Sequence, residues 1–145
     1  MPKISVEEIR NISKTALVQH GALDWISQQV ADAVAASESV GNRICGLYFL
    51  ESYCEQLLSG RVNGKALPKV QLVRSGSVYV DADDGFAQPA FAKGLPEALN
   101  RAKENGIASL SVGRAHTCTS LGYFTKKIAE AGFLGLGLTL SLIHI

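Results

Sequence analysis

Residues 71–85, QLVRSGSVYVDADDG, decide the fold: they read as a β-hairpin, with Ser75-Gly76 at the turn and Asp83-Asp84-Gly85 at the exit. Downstream of this hairpin the chain alternates in type. A helix is expected from about Pro89 to Asn105, with Pro96 tolerable only if the helix starts late or kinks there. GIASLSVGR (106–114) reads as a buried strand, SLGYFTKKIAEAG (120–132) as a helix and FLGLGLTL (133–140) as a further strand. Strands alternating with helices in this way predict an α/β unit.

Upstream the texture is helical. Ser5 and Glu8 have the spacing of a capping box, and Ile9, Ile12, Ala16 and Leu17 recur at helical period before Gly21 supplies a stop. Asp24 is placed to cap a second helix whose Ile26, Val30, Ala33 and Val34 share a face. A third helix is expected from about Ile44 to Leu58, closed by Gly60. The turn-rich RVNGKALPKV separates the two textures, so residues 1–68 form a helical region and 69–139 an α/β region.

Composition narrows the function classes. Fourteen basic against thirteen acidic residues leave a net charge of +1, which gives no electrostatic footprint for nucleic acid or an anionic membrane. The apolar tail at 133–145 falls short of the roughly 20 residues of a spanning helix. Three cysteines at 45, 54 and 118, with no paired spacing and no secretory pattern in the opening residues, fit reduced thiols in a cytoplasm.

The chemistry-bearing residues concentrate in two stretches. RAHTCTSLGYF (114–124) joins a strand end to a helix start, where ligands gather in open α/β sheets. Its His116, Thr117, Cys118, Thr119 and Ser120 bring an imidazole, a thiol, hydroxyls and backbone N–H groups that suit an anion such as phosphate; a plain helix N-cap at Thr119 or Ser120 is the simpler alternative. RICGLYFLESYCEQL (43–57) carries Cys45 and Cys54 nine residues apart, on opposite sides of one continuous helix, so they do not form a redox pair. No metal site is expected, because His116 and Cys118 lack a matching ligand pair and DADDGFAQP lacks the length and closing glutamate of an EF-hand loop. GLGLTL follows a helix and opens none, so it is not a dinucleotide fingerprint.

Three segments together carry a resemblance: GLYFLESYCEQLLSGRVN (46–63), DADDGFAQPAFAKGLPEALNRAKENGIASLSV (81–112) and LGYFTKKIAEAGFLGLGLT (121–139). They resemble the malate/L-lactate dehydrogenase-like oxidoreductases, collinearly over about residues 5–139, with Asp-Gly-Phe-x-Gln-Pro at 84–89 as the most specific piece. The resemblance implies a non-Rossmann α/β fold, a homodimer, NADPH or NADH as cofactor, and a 2-keto acid, 2-hydroxy acid or cyclic imino acid as substrate. It also implies that the third helix walls the active site through a Ser-His-Gly-Leu-x-Arg-Leu-Pro-x-Tyr pattern, whose histidine donates a proton and whose arginine holds the substrate carboxylate.

Gly46, Leu47, Leu50 and Tyr53 match that pattern, whereas Ile44 stands at the serine, Cys45 at the histidine and Phe49 at the arginine. Downstream, where the family has Asn-His-Phe-Gly, the histidine position falls on Thr117 and the glycine position on Thr119, with His116 one residue early. Either substrate geometry differs in this branch or the site has lost its chemistry. The polar set Cys45, His116, Thr117 and Thr119 favours the branch. On that reading His116 and then Cys45 are the acid/base candidates, Tyr53, Phe49 and Ile44 line the substrate pocket, and Thr117, Thr119, Ser120 and Gly122 face the cofactor. The alternative is a non-catalytic relative that binds nucleotide or a small acid. The final LSLIHI (140–145) equals the in-frame translation of the transposon-end adapter CTGTCTCTTATACACATC, so Thr139 is expected to be the last native residue and the chain a fragment.

Overall fold

The computed structural model describes residues 4–139; the adapter reading of 140–145 lies outside the described residues. Helix α1 (Val6–Gln19) begins at the expected capping box: the Glu8 N–H donates to Ser5 Oγ at 3.1 Å, and the Ser5 N–H donates to Glu8 Oε2 at 2.8 Å. Helix α2 (Asp24–Ser39) is the centre of the molecule. Its Ile26, Val30 and Val34 pack in one cluster with Ile9, Leu17, Tyr53, Leu57 and Phe86, while Ala33 joins a second cluster with Phe91, Tyr123 and Phe124. A helix buried on two sides needs small residues to admit its neighbours, and Ala31, Ala33 and Ala35 supply them.

A 3₁₀ turn (Arg43–Cys45) precedes α3 (Leu47–Leu58). Strands β1 (Lys69–Arg74) and β2 (Ser77–Asp81) form the expected antiparallel hairpin, with Val70 opposite Val80. Helix α4 (Ala87–Asn105) then crosses over to β3 (Ser109–Gly113), which lies parallel to β2 with Val80 opposite Val112, so the sheet order is β1-β2-β3. Val78 and Val80 bury one face of β2; α4 approaches it so closely at Gly94 that a Cβ there would sit 2.5 Å from Val80 Cγ2. Helix α5 (Leu121–Glu130) is the last helix of the described residues, its Tyr123 and Phe124 set against Phe91 of α4 and Ala33 of α2.

Several expectations change. The third helix does not run from Ile44: Gly46 breaks it, and the Glu38 carboxylate accepts the Leu47 N–H at 2.8 Å, so a side chain from α2 fixes where α3 starts. Cys45 and Cys54 therefore do not share a helix, and the angular comparison between them falls away. Asp24 is the first helical residue rather than the cap, which is Leu23; its carboxylate pairs with Lys14 at 2.9 Å. Ile12 faces outward, 53% exposed, because the buried stripe of α1 runs through Ile9, Ser13 and Leu17. The α4 helix starts two residues earlier than expected and continues through Pro96.

β3 is a half-buried edge strand, since nothing among the described residues pairs with its far side. Residues 133–139 form no strand. Gly135 and Gly137 lie against Ile128 and Thr125 of α5, while Leu134, Leu136 and Leu138 point outward at 84% exposure or more, so the segment has no ladder partner there.

Candidate active site

The loops that follow β2 and β3 carry the four non-glycine residues with left-handed backbone among the described residues: Asp83, Asp84, Arg114 and, just before α5, Thr119. Such conformations cost roughly 1–3 kcal/mol each and persist only where surrounding bonds determine them. Here they do. Arg114 pairs with Asp84 at 2.6 Å, Asp81 at 3.0 Å and Asp83 at 3.7 Å, and the Asp83 N–H donates to Asp81 Oδ1 at 2.9 Å. The Arg114 guanidinium holds the Asp84 carboxyl below its ordinary range.

The loop after α3 is stitched to the same turn: the Asn63 N–H donates to the Asp84 carbonyl at 2.9 Å, and Val62 is buried in the core. This brings the α3 side of the molecule against the sheet end.

At that junction Tyr53, 1% exposed, hydrogen-bonds Thr119 Oγ1 at 3.0 Å through its hydroxyl and accepts from Gln88 Nε2 at 3.3 Å. Gln88 also donates to the Cys118 carbonyl at 3.4 Å, leaving its buried Oε1 without a partner among the described residues. Four rings meet edge to face: Tyr53 with Phe49 at 5.1 Å, with Phe86 at 5.2 Å and with His116 at 6.1 Å, and Phe86 with His116 at 5.9 Å. The His116 backbone N–H donates to the Gly85 carbonyl at 2.8 Å, and its buried Nδ1 has no partner among the described residues. An open cleft of about 490 Å³ adjoins this junction, lined by Gln56, Arg61, Asp84, Arg114, Ala115 and His116.

Burial pushes the Tyr53 phenol up to about 12, against its hydrogen bonds with Thr119 and Gln88, so it stays protonated across the physiological range. Burial lowers His116, and the Arg61 charge lowers it further; its proton is easier to give up but less often present.

Of the residues chosen from sequence, the structure brings Tyr53, Phe49, His116 and Thr119 together. Cys45 sits half-buried on the 3₁₀ turn, and its thiol makes no hydrogen bond among the described residues. Ile44 points outward, 71% exposed. Thr117 and Gly122 are exposed, and Ser120 is the N-cap residue of α5 without a side-chain capping bond. Sequence reasoning missed Gln88 and Arg61. Gln88 lies inside the motif at 84–89, where an amide flanked by aromatic, proline and alanine residues at a helix start is the available signal; Arg61 has none.

A dinucleotide's phosphates need unpaired donors at a helix start. The N–H groups of Leu121 and Gly122 have no partner among the described residues, and the nearest atom to a Cβ on Gly122 would be Ser120 Oγ at 3.7 Å, so the donors and the space fit such a group. Among the described residues no cluster of three potential metal ligands occurs, and no helix is long and apolar enough to cross a membrane.

The profile of the Malate/L-lactate dehydrogenase family matches residues 4–143. The chain is 30% identical over 139 residues to the Delta(1)-pyrroline-2-carboxylate/Delta(1)-piperideine-2-carboxylate reductase of Pseudomonas syringae pv. tomato, covering 96% of this chain and 40% of that protein. The crystal structure of delta1-piperideine-2-carboxylate reductase from that organism superposes with a TM-score of 0.87 over 91% of this chain and 40% of the other, at 30% identity. The ureidoglycolate dehydrogenase (NAD(+)) of Escherichia coli (strain K12) is 28% identical, with 94% of this chain and 38% of that protein covered. Malate dehydrogenase from Pyrococcus horikoshii shares the fold, with a TM-score of 0.83 at 21% identity over 90% of this chain and 38% of the other. The chain spans about 40% of the length of the curated relatives it matches.

Proposed function

The chain belongs to the malate/L-lactate dehydrogenase family, and from that premise we propose that it contributes one wall of the active site of an oxidoreductase. The reaction moves a hydride between NADPH or NADH and the C2 atom of a small 2-keto acid, 2-hydroxy acid or cyclic imino acid. The reading rests above all on the junction where Tyr53, Gln88 and Thr119 hydrogen-bond beside His116, a residue that lines an open cleft. The nicotinamide, when bound, supplies or accepts the hydride.

The chain's own residues do the rest. His116 passes a proton to or from the oxygen or nitrogen on C2, in the direction the reaction runs, and Cys45 is the second candidate for that role. Tyr53, with Phe49 packed on it, backs His116 on the substrate side, and Gln88 holds the Tyr53 hydroxyl. Ile44 forms the outer lip, and Thr117, Thr119, Ser120 and Gly122 face the cofactor. The division at residue 68, a homodimeric assembly and a cytoplasmic setting complete this reading, with no nucleic-acid partner and no metal.

The chain completed to the length of its relatives, given NADPH and a panel of 2-keto and cyclic imino acids, should consume NADPH with at least one of them. No rate above blank with any acid, using either NADPH or NADH, defeats the reading. A second reading has its own support. Phe49 places an apolar ring against Tyr53, and Cys45 makes no hydrogen bond among the described residues, a combination expected of a protein that binds without turnover. Saturable binding of the nucleotide and of an acid by a completed protein that leaves both unchanged would favour it.

A further inference from the structure

The cleft beside His116 contains two guanidinium groups in different states. Arg114 is committed to Asp81, Asp83 and Asp84, while Arg61 has no hydrogen bond or ion pair among the described residues. Helix α3 offers no alternative cation: from Leu47 to Leu58 it contains neither lysine nor arginine, and its inward Phe49 is packed on Tyr53. Arg61 leaves the C-terminal end of that helix from a fixed backbone, because Gly60 turns the chain at φ 72° and the next residue, Val62, is 2% exposed with its N–H on the Gln56 carbonyl at 3.2 Å. Arg61 and His116 line one cleft, and the Arg61 charge is felt at the imidazole.

A 2-keto or imino acid joins a carboxylate directly to the carbon that reacts. A free guanidinium that lines the same cleft as an imidazole could seat such a molecule, its carboxylate on the cation and its C2 substituent toward the ring.

We infer that Arg61 is the carboxylate-binding residue of this cleft, holding a small 2-keto or imino acid with its C2 atom toward His116. The inference rests on the oxidoreductase reading for the class of acid, and on the free guanidinium for the site. The Asp84 carboxylate, which also lines the cleft, is tied to Arg114 through both its oxygens, at 3.3 and 2.6 Å, so it competes only weakly for Arg61.

The test uses the 145-residue chain itself. Pyruvate is titrated while the ring signals of His116 are followed by NMR, with acetone as the analogue that keeps the carbonyl and lacks the carboxylate. Pyruvate should move the His116 signals saturably and acetone should not. Arg61→Gln should weaken pyruvate at least about tenfold, the loss of one charge-assisted pair, and Arg61→Lys should fall between. Because Arg61 makes no contact that holds the fold, the remaining spectrum of both variants should be unchanged. An Arg61→Gln variant that binds pyruvate within twofold of the parent overturns the inference, as does a chain whose His116 signals do not respond to pyruvate at all. The outcomes separate this inference from the reading beneath it. Arg61-dependent binding without NADPH consumption by the completed protein removes the hydride transfer and leaves the site; NADPH consumption with Arg61-independent binding does the reverse.

Discussion

At the scale of single residues, the site is a compromise between burial and unfinished hydrogen bonding. Tyr53 is fully buried with its hydroxyl partnered by Thr119 and Gln88, so Tyr53→Phe removes one bond from each, although both keep the Cys118 carbonyl, and should cost about 1 kcal/mol in urea unfolding. Gln88→Leu should cost less, because the two bonds it loses are long, at 3.3 and 3.4 Å, and it also removes a buried Oε1 that has no partner among the described residues. A Gln88→Leu loss as large as that of Tyr53→Phe would show Gln88 to be part of the structural core rather than of the site. His116 adds a dependence on pH. Burial and then Arg61 hold its folded value below the unfolded one, so over that interval the unfolded chain binds more protons and stability rises with pH. The contribution is therefore whole above about pH 6.5 and is lost as pH falls through the lowered folded value. Urea midpoints at about pH 7.5 and pH 5.5 should differ in the parent and converge in His116→Asn; equal differences in the two proteins would place the titration elsewhere.

At the scale of elements, the features legible in the sequence are local and those that escape it are relational. The capping box, the Ser75-Gly76 hairpin turn and the stops at Gly21 and Gly60 are written in adjacent residues, and each forms where the spacing puts it. The start of α3 escapes a sequence reading because its determinant lies nine residues upstream: Glu38 caps Leu47 across the turn, and Gly46 is small enough to let the carboxylate pass. Periodicity alone carries the helix through Ile44. The same limit applies to β3 and to residues 133–139, whose apolar letters are identical whether or not a neighbouring strand covers them. In the site, the aromatic and histidine members are legible as residue types, but Arg61 becomes visible only once the loop after α3 is seen stitched to the Asp84 turn. The cap gives a test at this scale. Gly46→Ala drives a methyl into Glu38 and should cost about 1–2 kcal/mol; Glu38→Ala alone should cost about 1 kcal/mol. Because both act through one contact, the double variant should lose clearly less than the sum, and simple additivity would separate the glycine from the cap.

For the molecule as a whole, a two-sided central helix and a three-stranded sheet leave apolar surface uncovered. Strand β1 is exposed along its whole length, with Leu72 at 50% and Val73 at 61%, and Leu134, Leu136 and Leu138 form an outward row on the far side of α5. The 145-residue chain should therefore self-associate with concentration in sedimentation velocity, and Leu136→Lys combined with Leu72→Lys should shift it toward monomer. Unchanged association would mean that neither surface drives it. On the proposed reading, this wall of residues serves hydride transfer to C2 of a small acid. The most direct measurement gives the completed protein NADPH carrying deuterium at both C4 positions, together with pyruvate and a cyclic 2-imino acid, and reads the product by mass spectrometry and proton NMR. One deuterium at C2 of the reduced acid is the expected result. NADPH that binds and is oxidised with no deuterium reaching C2, or that is never oxidised with either acid, would contradict it.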